Sequence, residues 1–476
     1  MRRQKLLLFP FIPLFVTLPA IAQDKWDLKR CVEYAVSNNI SVKQADVQAR
    51  LAKLTLDQSK LMQIPTLGVA GTVGVNSGHT FNQSTFTLST QTYLFNSLSA
   101  NANVTIFNGF NLQRTIDANR FTWQAMLASS EKLKNDISLN VANAYLQVLL
   151  ATQTAQTAQY QLQLSQNQLD LTKKQVVAGT LPELNEAELE SQVAQDSSSY
   201  ITAKSTIVQD ILSLKAYMDL DAAIPFEVDT PPVDQIPIEQ LADLQPDAVY
   251  TLALTHQPLQ KMDALNIQAY QELARAAKGA MYPTVSLGGS LTSYYVNTPQ
   301  AGYIPYSFID TVGHVVGTNA PVVNPTEGVN VVSSKVGYIK QLNQTFSQNV
   351  GISVNIPIFN QGVLKTNYAK SKLNLRNQEL QRDQDNLTLK NNIYQAYTLA
   401  VAALEKFNAN KITIAATKKS FDYAQKRYDI GMSNTIDLLT NKNNYYTAQV
   451  NLIYAQYDYV FKMKVLEYYK GMGIRL

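Results

Sequence analysis

Hydrophobic residues recur every seven positions in two long stretches of the chain, at 112–177 and 364–430. Neither stretch contains a glycine or a proline. A strict seven-residue repeat predicts long helices that pack as left-handed coiled coils, and at 1.5 Å per residue each helix would be about 100 Å long. The repeating positions are Val141, Val148, Ala155, Leu162, Leu169 and Val176 in the first stretch, and Ile393, Ala400, Phe407, Ile414, Phe421 and Tyr428 in the second.

A shorter helix follows each long one. Gly179 and Gly431 interrupt the pattern, as glycines at helix C-termini do, and helical patterning resumes at 183–217 and 435–469. The predicted units are two helical hairpins, at 111–218 and 362–469. A seam of mostly small residues, which allows close helix packing, runs beside the apolar one at Ile137, Ala144, Ala151 and Ala158, and at Leu389, Ala396 and Ala403.

Before each hairpin the hydrophobic period changes from seven to two. Alternation over about ten residues predicts strands with one apolar face, arranged as strand pairs at 66–107 and 284–359. The alternating positions are Leu67, Val69, Gly71, Val73, Val75, Leu98, Ala100, Ala102, Val104 and Ile106 in the first pair, and Val285, Leu287, Gly289, Leu291, Val350, Ile352, Val354, Ile356 and Ile358 in the second.

The segments around the strand pairs are also predictable. Helices are expected at 28–62 and 248–282, each ending near a proline, Pro65 or Pro283. Between the strands of the second pair, the segment 296–345 is rich in Pro, Gly, Asn and Ser, which predicts a long surface loop.

The chain therefore contains two copies of one structural repeat. Phe107 and Gly179 recur as Phe359 and Gly431, a constant shift of about 252 positions. The predicted organisation is a first repeat at 23–220, a Pro-rich linker at 221–246, a second repeat at 247–470 and a C-terminal tail at 471–476.

The first 22 residues have the features of a secretory signal peptide. Basic residues precede a short apolar run that prolines interrupt, and Ala20-Ile21-Ala22 forms a cleavage site. Removing this segment takes three positive charges from a formal net charge of +4, so that +1 remains. No strong field is left to attract nucleic acid.

Few residues suit catalysis or metal binding. Cys31 lies beyond the cleavage site and has no second cysteine to pair with, so we expect a small, partly buried side chain. The three histidines have no metal-binding spacing, and no G-x-S-x-G or phosphate-binding glycine loop occurs. We therefore predict neither an enzyme nor a bound metal or cofactor.

Four membrane strands per chain cannot close a barrel, and lipid does not tolerate an open sheet edge. The chain must then oligomerise. Two copies would form an eight-stranded barrel, whose interior is filled by side chains. Three copies would form a twelve-stranded barrel that leaves an open lumen.

These features together resemble the TolC-like outer-membrane efflux family, also called outer membrane factors. The resemblance covers essentially the whole mature chain. The motifs that carry it are the strand-to-helix junctions 106–109 and 358–362, the turns 177–181 and 429–433, and the segment 436–439.

The resemblance implies a mainly α-helical chain with four strands in a trimeric, twelve-stranded outer-membrane β-barrel, above a periplasmic α-helical barrel. It implies a homotrimer in the outer membrane of a Gram-negative bacterium, in contact with lipid and with a large periplasmic part. The implied function is the duct of a tripartite efflux or export system, with a periplasmic adaptor protein and an inner-membrane transporter as partners.

Other functions are compatible with parts of the pattern. One is the outer-membrane component of type I protein secretion. Another is a coiled-coil surface or structural protein without transport activity, which would explain the heptads but not the alternating strands. A periplasmic adaptor would have one hairpin and no membrane strands, so the duplication disfavours it.

In the resembled family, acidic rings near the second tip narrow the tunnel. Asp437, six residues after Gly431, occupies the first acidic position, and three copies would form a carboxylate ring that favours cations. This chain has Thr440 where the family has its second acidic residue, and Ser433 where the family often has an arginine. In the first copy, Asn185 stands at the position that matches Asp437. We therefore expect a polar latch of Asn185, Ser433 and Thr440 in place of the usual salt bridges.

A local role for Asp437 is equally compatible with the sequence. With Asn434 as N-cap, Asp437 would stand at the third helical position, where a carboxylate favours the helix dipole. The ring and the cap do not exclude each other.

Small or apolar residues form both tips, where the resemblance places the adaptor. The alternative is that the glycines only provide the positive φ that the turn requires. A tyrosine-rich stretch at 445–459 either lines the tunnel or, as we favour, packs between helices. The candidate docking residues are Ala178, Gly179, Thr180, Leu181, Ile430, Gly431 and Met432.

Overall fold

The computed structural model describes residues 25–82, 87–230, 236 and 238–471. The predicted signal peptide, most of the segment 231–237 and the tail beyond 471 lie outside the described residues. The chain divides into two compact units. A helical unit comprises Met1–Leu51, Trp123–Asn266 and Glu379–Leu476, and a strand unit comprises Ala52–Thr122 and Ile267–Gln378.

Two very long helices and two shorter ones make up the hairpins. Helix α3 spans Asn111–Val177 and α8 spans Val363–Asp429, 67 residues each. Their return helices, α4 at Glu183–Met218 and α9 at Thr435–Lys470, have 36 residues each. The helices predicted from the heptads are thus confirmed to within a residue or two at each end.

The heptad seam is buried most completely near the middle of each long helix. Val141 and Val148 of α3 and Ile393 and Ala400 of α8 are at most 1% exposed. Burial of a full aliphatic side chain contributes about 1.5–3 kcal/mol. The seam therefore stabilises the hairpins over several turns.

Each helix that precedes a strand pair is broken, which corrects the prediction of single helices at 28–62 and 248–282. The first copy forms α1 at Leu28–Asn38 and α2 at Ile40–Leu61. Asn39 stands between them, and its side-chain oxygen accepts from the backbone N–H of Ser41 at 2.9 Å, as an N-cap does.

The second copy breaks at the same stage. Helix α5 spans Pro246–His256, and α6 spans Pro258–Gly279. Pro258 stands at the first position of α6, where its missing N–H is not needed, and it disfavours helical backbone at Gln257.

Four antiparallel strands form one sheet in the order β1–β2–β3–β6. Their bounds are Thr66–Asn82, Thr87–Phe107, Thr284–Val296 and Ser347–Asn355. Strands β1 and β6 lie at the two edges. The prediction extended the last strand to Ile358, but β6 ends before Ile356 because Pro357 has no N–H to donate.

The sheet has one apolar and one polar face, as the alternation predicts. Neighbouring positions in one row are Leu67, Ala102, Gly289 and Val350. The next row has Gly68, Asn101, Ser290 and Asn349. The four strands contain no Lys, Arg, Asp or Glu, so the polar face is uncharged.

The segment 296–345 is not the irregular loop that was predicted. It contains a two-stranded hairpin, β4 at Gln300–His314 and β5 at Pro321–Ser334, followed by the short helix α7 at Tyr338–Gln344. The Pro, Gly and Asn residues concealed the alternating aromatic and β-branched residues that favour strands.

Two apolar cores lie in the helical unit. One joins α1, α3, α4 and α9 around Tyr145 and Leu214, and includes Cys31. The other joins α5, α8 and α9 around Ile393 and Met463. Cys31 is fully buried, and burial raises the pKa of its thiol to about 12. Among the described residues, no helix combines the length and apolar character that a membrane crossing requires.

Candidate functional site

Both hairpin tips are built on the same backbone turn. At the first tip, Gly179 has φ of 71° and donates to the carbonyl of Val176 at 2.9 Å, and Thr180 donates to that of Gln175 at 2.9 Å. This pair of bonds is the Schellman motif, which satisfies the last helical carbonyls.

The second tip repeats the motif residue for residue. Gly431 has φ of 72°, its N–H donates to Tyr428 at 3.0 Å, and that of Met432 donates to Arg427 at 2.8 Å. The glycine requirement for the turn holds at both tips, whatever else the tips do.

The two tips differ at the start of the return helix. In the second tip, the side-chain oxygen of Asn434 accepts from the N–H of Asp437 at 2.7 Å. The carboxylate of Asp437 accepts from the Ser433 hydroxyl at 3.2 Å and remains exposed. Asn434 is thus an N-cap, and Asp437 stands in the first helical turn, where a negative charge is favourable.

In the first tip, Pro182 occupies the N-cap position and forms no side-chain cap. Asn185, the counterpart of Asp437, donates its backbone N–H to the carbonyl of Pro182 at 3.1 Å. Glu183 and Glu186 supply negative charge to the first turn of α4.

The three polar residues assigned to the latch are not hydrogen-bonded to one another in the described protomer. Within the described chain, Ser433 bonds to Asp437, and no hydrogen bond joins Ser433 to Asn185 or Thr440. Thr440 is exposed one turn after Asp437. A latch that involves all three stays a prediction for an assembled channel.

Large apolar side chains are exposed at both tips. Val177, Ile430 and Met432 are 89%, 69% and 67% exposed. Ala178, Gly179, Thr180 and Gly431 are exposed as well, whereas Leu181 is partly buried. Exposed apolar clusters of this kind are typical of protein–protein contact sites.

A buried polar network lies within the hairpins, and the sequence analysis did not predict it. The Nζ atom of Lys442 donates to Ser165 Oγ at 2.5 Å, and the Ser165 hydroxyl donates to Asp196. Gln192 Nε2 donates to the other Asp196 oxygen at 2.8 Å and pairs with Asn443.

This network joins α3, α4 and α9 in nearly complete burial. Ser165, Asp196 and Lys442 are at most 6% exposed. Burial lowers the pKa of Lys442 to about 8, although the charge of Asp196 opposes the shift. The signal that could have revealed the network is the seam of small residues, which continues beyond Ala158 to the polar residues Ser165 and Thr172 at the same seven-residue spacing.

The tyrosine-rich stretch packs largely between helices. Tyr445 stacks on Phe421 at 5.9 Å between ring centroids, and Tyr459 stacks on Phe407 at 6.3 Å. Tyr457 is buried, and Tyr454 is 49% exposed. These contacts favour the packing role within a protomer.

Comparison with known proteins agrees with this architecture. The sequence profile of the family described as "Outer membrane efflux protein" matches residues 32–219 and again 249–466, once in each copy. Outer membrane efflux protein BepC of Brucella suis is 23% identical over 364 residues, which is 75% of this chain and 68% of that protein. Outer membrane protein TolC of Salmonella enteritidis is 20% identical over 337 residues, 70% of this chain and 60% of that protein.

Solved structures share the fold at lower identity. CusC superposes with a TM-score of 0.75 at 16% identity, over 93% of this chain and 92% of CusC. VceC of Vibrio cholerae superposes with a TM-score of 0.72 at 15% identity, over 93% of this chain and 96% of VceC. The chain therefore belongs to the outer membrane efflux protein family and is a TolC-like outer-membrane efflux channel.

Proposed function

We propose that three copies of this chain form the outer-membrane duct of a tripartite efflux system. The observation that carries the proposal is the open, two-faced sheet. Among the described residues, no further strand lies beside its edge strands β1 and β6, and lipid does not tolerate unpaired strand edges. Pairing β6 of one copy with β1 of the next would close a twelve-stranded barrel.

The two sheet faces suit such a barrel. Val69 and Val350 on the apolar face are each 80% exposed within one protomer. A lipid environment would cover such residues, and the opposite face of Asn, Ser, Thr and Gly would line a water-filled lumen. The uncharged lining favours passage without strong selection by charge.

We propose that the tips dock a periplasmic adaptor protein, which links the duct to an inner-membrane transporter. The exposed apolar residues Val177, Ile430 and Met432 support this role. Apolar anchors surrounded by polar residues are what a helical partner would bury.

The docking proposal is tested with Ile430→Glu and Met432→Glu, alone and together. We expect efflux in cells to fall at least tenfold in the double variant, since a buried charge replaces an apolar contact, while outer-membrane levels and the heat-resistant trimer on a denaturing gel stay unchanged. Leu387→Glu is the matched control, because Leu387 is 54% exposed on α8 and is outside the tips. Full efflux by the double variant would contradict the docking role.

We further propose that Asp437 forms a carboxylate ring at the constriction of the trimer. It is exposed in the protomer, and its backbone N–H, not its carboxylate, makes the N-cap bond to Asn434. The carboxylate is therefore available to face a pore. Ring carboxylates attract cations and repel one another.

Conductance in planar bilayers tests the ring. Asp437→Asn removes the charge and keeps an acceptor for Ser433. We expect a higher open probability and at least threefold weaker block by divalent cations than in the unmodified channel. Glu183→Gln, which removes an equally exposed first-turn carboxylate from the other tip, is the control and should leave both properties unchanged. Equal behaviour of the two variants would leave Asp437 with a role in the helix alone.

A further inference from the structure

Two rows of apolar residues lie exposed on the helices that adjoin the sheet edges. On α2, which precedes the edge strand β1, Ile40, Val47 and Leu54 recur at seven-residue spacing and are between 51% and 64% exposed. On α8, which follows the other edge strand, β6, Leu373 and Leu380 have the same spacing and are 69% and 51% exposed. A heptad row is typical of a helix–helix contact, and exposed apolar rows mark contact surfaces.

The equivalent positions inside the chain are buried. A shift of 252 relates α3 to α8 at both ends, and a shift of 218 relates α2 to α6. Leu380 therefore corresponds to Ala128, which is 4% exposed, and Leu54 corresponds to Glu272, which is 8% exposed. Positions that are buried on α3 and α6 are thus exposed on α8 and α2.

The boundary between the two repeats within the chain shows how such helices meet. Arg114 of α3 donates to Glu272 of α6 at 3.1 Å, and the side-chain amide of Asn111 donates to the carbonyl of Ala276 at 2.7 Å. Residue numbers rise along α3 as they fall along α6, so the two helices are antiparallel here. Next to them in the chain, β2 pairs with β3.

The strand registers show that the two repeats have the same internal arrangement. Thr66 pairs with Asn103 in the first repeat, and Thr284 pairs with Asn355 in the second. The shifts of 218 and 252 convert the first pair into the second. A ring of three copies would contain these repeats in alternation, so that a boundary within a chain is always followed by a boundary between chains.

We propose that α8 of one copy packs antiparallel against α2 of the next copy, in the register that α3 has against α6. The inference rests on the trimer proposed above and adds which residues meet between copies. The two shifts convert the observed contact of Arg114 with Glu272 into a contact of Thr366 with Leu54, and the next two heptads follow from it. The resulting pairs are Thr366 with Leu54, Leu373 with Val47, and Leu380 with Ile40.

The transferred register brings the two exposed rows together. It comes from an ion pair within the chain, yet it places Leu373 and Leu380 opposite apolar residues of α2. The ion pair itself is replaced by Thr366 and Leu54, so no charge at this position has to be buried between copies. Apolar contacts of this kind are typical of chains that associate permanently.

The same transfer suits the edge strands. Ala100 of β2 pairs with Leu291 of β3, and the two shifts place Ile352 of one copy opposite Val73 of the next. The apolar and the polar face of the sheet then both continue from one copy to the next. A slip of one residue would place apolar side chains beside polar ones.

An ion pair rebuilt between copies tests the register. Leu54→Glu places a charge in the contact and should lower the temperature at which the trimer dissociates on a denaturing gel. Adding Thr366→Arg should restore that temperature, because it recreates the pair of Arg114 and Glu272 between two chains. Leu373→Arg in place of Thr366→Arg is the matched control. It stands one heptad, about 10.5 Å, farther along α8 and should not restore the temperature.

Cross-linking provides a measurement that does not depend on stability. In the double variant Leu54→Cys and Thr366→Cys, a short bis-maleimide should join the copies of the purified trimer. Leu54→Cys with Leu373→Cys is the control, and we expect it to give at least five times less covalent oligomer. Cys31 stays in place because it is fully buried, and the single variants measure its background.

The outcomes distinguish this register from the trimer itself. A heat-resistant trimer that Thr366→Arg does not rescue, or equal cross-linking by both cysteine pairs, would overturn the register and leave the proposed duct standing. No cross-link in the purified trimer would mean that another protein covers the two rows, and it would overturn the register as well. A protein that runs only as a monomer would contradict the duct and the contact together.

Discussion

The two hairpin tips have one backbone and two different side-chain settings. The turn glycines have φ of 71° and 72°, and in both tips the glycine and the residue after it donate the same pair of hydrogen bonds. The return helix starts with an uncapped Pro182 in the first tip and with Asn434, Ser433 and Asp437 in the second. Duplication thus preserves what the turn needs sterically, while the residues that follow are free to differ.

The same contrast extends into the hairpins. Lys442 and Asp196 form a buried ion network through Ser165. By the shift of 252, Lys442 corresponds to Glu190 and Asp196 to Ala448. The network therefore has no symmetrical counterpart in the other copy. It joins α3 and α4 of the first hairpin to α9 of the second.

The largest expected effect comes from breaking this network. Asp196→Ala should destabilise the protein by about 3–5 kcal/mol, because Lys442 is left buried without a counter-charge. Thermal unfolding followed by circular dichroism in detergent measures the loss. Glu190→Ala, at the position that corresponds to Lys442, should cost less than about 1 kcal/mol, since its ion pair with Lys173 is exposed. Adding Lys442→Met to Asp196→Ala should restore much of the lost stability, and a further loss would contradict the charge argument.

An intermediate and equal effect is expected at the turn glycines. Gly179→Ala and Gly431→Ala should each cost about 1–2 kcal/mol, because an added Cβ is strained at positive φ. A Cβ added at either position would meet no neighbouring atom. The loss of stability would therefore come from the backbone conformation alone. Unequal losses in unfolding experiments, by more than about 0.5 kcal/mol, would show that one glycine has a second role in the folded channel.

The smallest effect separates the two tips. Asn434→Ala should cost about 1 kcal/mol, since it removes the cap of α9, while Asn434→Asp should keep most of that stability. Pro182→Ala removes no cap and should change stability by less than about 0.5 kcal/mol. Pro182→Ser provides the converse test, because a serine at this position can cap α4 and should stabilise it. The same stability for all four variants would mean that capping does not distinguish the tips.

Periodicity was sufficient to predict most of the fold. Seven-residue spacing placed α3 and α8 to within one residue of their observed ends, because a helix packed along its whole length repeats the same burial at every second turn. Two-residue alternation likewise identified the four strands of the sheet. It failed between 296 and 345, where turn-forming residues lie inside the strands β4 and β5.

The breaks at Asn39 and Gln257 were missed for a different reason. Asparagine in a helical pattern is ambiguous, and only its bonds to Ser41 and to the carbonyl of Tyr217 at 3.0 Å show that it ends one helix and begins another. Gln257 is likewise fixed by a residue distant in sequence, since its side-chain amide donates to the carbonyl of Tyr468 at 3.0 Å.

By itself, the sequence determined the repeated plan, the length of the helices, the two-faced strands and the turn at each tip, because each depends on residues that are near neighbours along the chain. Tertiary structure alone decided which polar residues meet in the interior. Ser165, Asp196 and Lys442 come from three helices. Their charges become costly only when packing removes water from them, and no local pattern reports that loss.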